Sequence, residues 1–110
     1  MFELDQVCQL VGVRRVELTG WIEERWVLPQ REEGRWRFTD ADLARVRLIV
    51  ELRRDLRIDT ETLPVVLSLL DQVYALRRCL RTVGTALREL PEPARRIVEE
   101  RLERGIDGEE

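Results

Sequence analysis

Histidine and lysine are absent from this 110-residue chain, and serine occurs once. Without histidine, the usual general base and the commonest zinc ligand are both missing. Two cysteines, Cys8 and Cys79, stand 71 positions apart, which is no metal-binding spacing. Ser68, the lone serine, lies in the apolar run Val65-Val66-Leu67-Ser68-Leu69-Leu70, where no base can be named to activate it. It reads as a small helix residue, and no enzyme, metal or cofactor is expected. A basic surplus is missing as well: 22 acids face 19 bases, all arginine, for a net charge of −3. A strong nucleic-acid binder is usually a clearly basic domain, so DNA binding starts at a disadvantage. The exclusive use of arginine reads as genomic rather than mechanistic. No apolar run approaches the ~20 residues needed to cross a bilayer. With no recognisable signal peptide, the cysteines are expected to be free thiols in a reducing cytoplasm, packed as small hydrophobes.

What is present is a balance of 44% hydrophobic and 37% charged residues, that of one folded globular unit. A domain of roughly 100 residues buries an adequate core without disulfides or metals. Leu4, Val7, Cys8 and Val11 recur at helical spacing and are followed by Gly12, the residue best suited to a left-handed cap. From about Arg15 to Arg25, Val16, Leu18, Trp21 and Ile22 predict a second helix. The tight Gly12-Val13 corner between the two gives the spacing of a helix-turn-helix. Gly20 weakens the second helix by roughly 1 kcal/mol relative to alanine. Next, Trp26-Val27-Leu28-Pro29-Gln30 and Arg35-Trp36-Arg37-Phe38, separated by Arg31-Glu32-Glu33-Gly34, predict a small two-stranded wing. Alternation places Trp36 and Phe38 on one face, expected to close the core over Leu43 and Val46, and Arg35 and Arg37 on the other. Thr39 and Asp42 give a capping signal for a third helix of about four turns, carrying Leu43, Val46, Ile49, Val50 and Leu56.

The run Arg57-Ile58-Asp59-Thr60 breaks this pattern, and either Asp59 or Thr60 is suited to cap a new helix. Pro64 must fall within the first turn of that helix. Val66, Leu69, Val73, Leu76, Leu80, Val83, Leu87 and Leu90 then step by three and four residues, so all eight a/d positions are apolar. Leu63, Leu67, Leu70 and Tyr74 add a second stripe to the first half alone. That half is expected to pack on the helix-turn-helix and also on a partner chain, while the second half offers only the seam. A homodimer through this helix is the expectation. Gly84 lies outside the seam. Pro91-Glu92-Pro93 stops the helix, Ala94, Ile97, Val98 and Leu102 predict a short final one, and Gly105 to Glu110 reads as a frayed acidic tail. The fold class is mainly α: a winged helix-turn-helix over residues 1–57, a long coiled-coil-like dimerisation helix over 58–91, and a short helix with tail over 92–110.

The order of parts is more specific than any one of them. A helix-turn-helix leads into the aromatic wing Trp36-Arg37-Phe38-Thr39. A helix closing in Leu52-Arg53-Arg54-Asp55-Leu56 and a seam helix containing Leu67-Ser68-Leu69-Leu70-Asp71-Gln72-Val73 follow. Over roughly residues 4–83 the chain resembles the MerR-type winged-helix family, and within it the CbpM branch of chaperone modulatory proteins. The resemblance implies a MerR-like winged helix and a protein-binding role. CbpM-like proteins bind the J domain of a DnaJ-like co-chaperone, CbpA, and restrain its work with DnaK. DNA-binding members resemble one another in an arginine- and tyrosine-rich second helix that faces the major groove. The matching stretch here, Val16-Glu17-Leu18-Thr19-Gly20-Trp21-Ile22-Glu23-Glu24, has three glutamates and no arginine. Carboxylates repel a duplex that carries a charge about every 1.7 Å. Only Arg14, Arg15, Arg31, Arg35 and Arg37 remain to hold phosphates, and beside Glu32 and Glu33 they equally form a solvated face.

A J domain presents a basic helix, so a protein that competes for it should offer acidic surface. Asp55, Asp59, Glu61 and Asp71 against Arg57 give a local charge of −3 between positions 55 and 71, and these four acids are the candidate partner-binding residues. The same carboxylates also suit capping of the long helix, at about 0.3–1 kcal/mol each. Two functions stay open: a homodimeric, non-enzymatic modulator of a co-chaperone, and a MerR-type regulator that binds DNA through the arginines.

Overall fold

The computed structural model describes residues 1–107. In chain order they form α1 (Leu4–Val11), α2 (Arg15–Glu23), β1 (Gln30–Glu32), β2 (Arg35–Arg37), α3 (Asp40–Val50), a π-helical turn (Glu51–Asp55), α4 (Leu63–Arg88) and α5 (Glu92–Asp107). The chain divides into two compact units, one from Met1 to Ser68 and one beginning at Leu69, so the boundary falls inside α4.

In the first unit, α1 buries Leu4 and Val7 and ends at Gly12, whose φ of 78° is the left-handed cap. The Gly12 and Val13 amides both donate to the Cys8 carbonyl, at 2.9 and 3.1 Å, which closes the corner into α2. Neither helix starts on a serine or threonine. The Glu3 amide donates to Gln6 Oε1 at 2.8 Å and the Arg14 amide to Glu17 Oε1 at 3.3 Å, so a side chain three residues on satisfies each exposed donor. Beyond Glu23 the chain turns through Arg25, at φ 64°, and Trp26 and Val27 go into the core.

The wing begins later than the residue pattern indicated. Trp26 and Val27 are buried loop residues rather than strand, and β1 pairs antiparallel with β2 in the register Gln30↔Arg37, Arg31↔Trp36 and Glu32↔Arg35. The register leaves a two-residue loop, Glu33-Gly34, with positive φ at both positions (50° and 77°). That geometry matches the right-handed twist of a hairpin, and Gly34 supplies it without strain. Phe38 exchanges two 2.8 Å backbone hydrogen bonds with Phe2 and is fully buried, as are Val46 and Ile49 on α3. Trp36 is only half-buried, with the Arg31 guanidinium 4.9 Å from its ring centroid, so the two aromatics do not seal the core equally.

Thr39 and Asp42 form a reciprocal capping box at the start of α3: the Asp42 amide donates to Thr39 Oγ1 at 3.1 Å and the Thr39 amide to the Asp42 carboxylate at 2.9 Å. α3 does not continue through Leu56 as an α-helix. It widens into the π turn, which keeps Leu52 buried and leaves Leu56 exposed. Arg54 in this turn donates to the Gly12 carbonyl at 2.8 Å, tying it to the helix-turn-helix corner. The turn closes at Arg57, φ 54°, where the Ile58 amide reaches back to the Leu52 carbonyl at 2.9 Å.

Asp59 caps the approach to α4 by accepting from the Thr62 amide at 2.7 Å, and Pro64 falls in the first turn, where no intrahelical donor is lost. Leu63 and Leu67 are buried, so the second apolar stripe is used at its start; Leu70 is half-buried and Tyr74 exposed. α4 ends at Arg88, leaving Leu90 beyond it. α5 runs past Leu102 to Asp107, well into the segment expected to fray. Pairs of Arg95 with Glu92 and Glu99, and of Arg96 with Glu92, at 3.6 to 3.8 Å, support it at i,i+3 and i,i+4 spacing. The remainder of that tail, residues 108–110, lies outside the described residues. No helix among the described residues is long and apolar enough to cross a membrane.

Candidate docking surface

The wide turn after α3 and the cap of α4 fix where the candidate acids lie. Asp55 ends the π turn, Asp59 and Glu61 lie in the connection to α4, and all three are exposed on the first unit. Asp71 is exposed on α4 in the second unit, so the four acids do not form one cluster within either unit. Hydrogen bonds from Thr62, side chain first and then backbone, hold the Asp59 carboxyl below its usual range. Capping is therefore a role Asp59 has in the fold, and the same hydrogen bonds keep it ionised further into the acid range.

The five arginines named as candidate phosphate contacts are all engaged locally. Arg14 pairs with Glu17 at 3.1 Å and Arg15 with Asp5 at 2.7 Å. Arg35 and Arg37 reach Glu3 at 3.8 and 3.6 Å, Arg37 also lies 3.9 Å from Glu32, and Arg31 stacks on Trp36. Exposed pairs of this kind are individually weak, yet each one cancels local positive charge that a phosphate would need. Glu17 is held below the usual carboxylate range, chiefly by its hydrogen bond from Arg14. Glu23 at the end of the same helix and Glu24, which caps it, are exposed and have no ion pair among the described residues. α2 and the wing thus carry arginines that have partners within the fold, beside carboxylates at Glu23 and Glu24 that have none among the described residues. Residue types show the acids of α2 but not the pairing of Arg15, Arg35 and Arg37, because the partners Asp5 and Glu3 come from α1 and the strand-like entry to it.

The seam behaves differently along its length. Val66 and Leu87 are half-buried, whereas Leu69, Val73, Leu76, Leu80 and Val83 are exposed, from 42% at Val73 to 68% at Leu80, and Leu90 is also exposed. Cys79 is exposed among them rather than packed as a small hydrophobe, because the helix carries it on an uncovered side. Cys8 is half-buried, and burial first, then Asp5, push its thiol upward, away from the reactive thiolate. The described residues contain no group of histidine, cysteine and carboxylate side chains placed to hold a metal.

The family described as MerR HTH family regulatory protein matches residues 2–84, which takes in the helix-turn-helix, the wing, α3, the π turn and most of α4. Proteins named chaperone modulatory protein CbpM in the Dugway and Henzerling II strains of Coxiella burnetii are 29% identical over 82 residues, covering 74% of this chain and 77% of theirs. Both names point to regulators or modulators rather than enzymes. The chain belongs to the MerR HTH family of regulatory proteins, and within it is similar to the CbpM chaperone modulatory proteins.

Proposed function

We propose that this protein is a non-enzymatic modulator of a chaperone system, which binds the J domain of a CbpA-type co-chaperone and restrains its work with DnaK. The observation that carries the reading is the charge arrangement of the helix-turn-helix and wing: Arg14, Arg15, Arg31, Arg35 and Arg37 are engaged within the fold, while Glu23 and Glu24 have no ion pair among the described residues. Such a surface complements a basic helix and opposes a phosphate backbone. The similarity to proteins named chaperone modulatory protein CbpM supports a chaperone system as the target. We infer further that the active form is a cytoplasmic homodimer joined through the α4 seam, whose exposed leucines and valines have no cover within their own unit.

Titration of the chain with a purified CbpA-type J domain and with a DNA duplex, each across a salt series, tests the reading. Asp55→Arg with Asp59→Arg weakens the J-domain complex and leaves DNA affinity unchanged or higher. Arg35→Glu with Arg37→Glu leaves the J-domain complex nearly intact. The reverse pattern, with duplex affinity that falls steeply as salt rises and disappears in the wing variant, overturns the proposal in favour of a DNA-binding regulator.

A further inference from the structure

A groove of about 280 Å³ runs along α2 within the first unit, where Val16, Gly20, Trp21, Glu23 and Glu24 meet Thr60 from the segment ahead of α4. Its apolar part is open: Val16 is 69% exposed and Trp21 half-buried. Gly20 is the unusual residue. It sits inside a helix, where glycine is unfavourable, and its φ is not positive, so the backbone does not require it. A Cβ placed there would meet nothing within 4 Å, so internal packing does not require it either. The missing side chain leaves the helix backbone at this position open to close approach from outside.

The charge around this notch selects the visitor. Glu23 and Glu24 lack ion pairs among the described residues, and Asp59 and Glu61 bracket Thr60 in the chain. The one cation that lines the groove, Arg53, has a guanidinium that donates to the Ile58 carbonyl at 3.0 Å. We propose that the groove is the docking site for a basic helix of a protein partner, which crosses α2 at Gly20 with small or aliphatic side chains against Val16 and Trp21. Its cations meet Glu23 and Glu24 on one side of the notch and the Asp59 and Glu61 segment on the other. The inference deepens the proposed function and rests on it only for the identity of the partner. α2, the helix that faces the major groove in DNA-binding members, is here a protein-docking helix.

Two probes separate the inference from the function it deepens: the purified J domain, and a synthetic basic amphipathic helix with an alanine stripe, each titrated into the full chain and followed by amide chemical shifts. Shifts centred on Val16, Gly20, Glu23 and Thr60 are expected with both. Gly20→Leu should weaken binding roughly tenfold or more, as loss of a central contact does, while its thermal midpoint stays level or rises because the helix gains propensity. Glu23→Arg with Glu24→Arg should weaken binding most at low salt. If the J domain binds with these variants at wild-type affinity, the groove is overturned and the proposed function stands. If the J domain fails to bind but the synthetic helix seats at Gly20, the groove stands and the choice of partner falls. If neither perturbs these amides, both are overturned. The rival occupant is a second copy, since α4 carries Arg77, Arg78 and Arg81. A Gly20→Leu chain that loses its dimer in sedimentation would establish that occupant and overturn ours.

Discussion

Every buried apolar residue of the described chain, from Leu4 to Leu67, belongs to the unit that begins at Met1, whereas from Leu69 onward α4 and α5 contain none. Both regions are rich in leucine and valine at regular spacing, so apolar content does not distinguish them. Connectivity does. In the first unit short helices and a hairpin fold back on one another, so each apolar face meets another of the same chain. In the second, two helices expose Leu76, Leu80, Ile97, Leu102 and Ile106. A regular apolar stripe therefore states what must be covered and not by what, and for the second unit the proposed dimer would supply the cover.

The strongest way to break this contrast is to charge the seam. Leu76→Glu with Leu80→Glu should convert a dimer into a monomer at tens of micromolar by sedimentation, an order of magnitude chosen as a demanding concentration, because two carboxylates in a desolvated seam have no partner. The first unit should unfold as before. Sedimentation of the unaltered chain as a monomer would remove the dimer outright. Next in size is the first unit's own core: Phe38→Ala should cost about 3–5 kcal/mol in denaturant unfolding, with no change of oligomeric state below the transition. Trp36→Ala should cost visibly less, since that ring is half-buried. Thr39→Ala should cost about 1 kcal/mol and accelerate amide exchange in the first turn of α3, where the capping box is lost.

The smallest effect concerns acid. The carboxyls of Asp59 and Glu17 are held below their usual ranges, the first by Thr62 and the second by Arg14. A depressed folded-state pKa contributes stability that is present above the unfolded-state value and lost as pH falls through the folded one. Both contributions should thus be intact at neutral pH and fade below about pH 4. Asp59→Asn keeps an N-terminal capping side chain but does not titrate, so it should flatten this acid limb slightly. An unchanged limb would show that Asp59 makes no pH-dependent contribution.

Much of the first unit is legible in the residues because its signals are local. Gly12 marks the end of α1, Thr39 with Asp42 marks the start of α3, and Asp59 marks the approach to α4, each through a hydrogen bond or dihedral spanning a few positions. The π turn is not legible, since Glu51-Leu52-Arg53-Arg54-Asp55 fits an α-helix equally well and the widening is accompanied by a contact to Gly12, 42 positions away. Strand β1 is displaced for a similar reason: Trp26 and Val27 have strand-like composition but are drawn into the core. The arginines reveal their type in sequence but not their state, because Glu3 and Asp5 become their partners only when α1 lies beside the wing and α2. The far end of α5 is missed because beyond Leu102 the glycine and acids of the stretch read as a tail, although the helix continues to Asp107.

The π turn has a genetic consequence. A π turn is an α-helix carrying one surplus residue. Losing a single codon between positions 53 and 55 would be absorbed as regular helix, with no gap in the chain and the buried Leu52 left in place. The side chains after the deletion would rotate, however, and Arg54 would no longer meet the Gly12 carbonyl. The same loss inside α4 would instead dislocate every later position of the seam. One stretch of this chain therefore accepts a change of length by changing the direction in which it emerges, and reading-frame-preserving variants that redirect α4 without unfolding the winged unit should arise there.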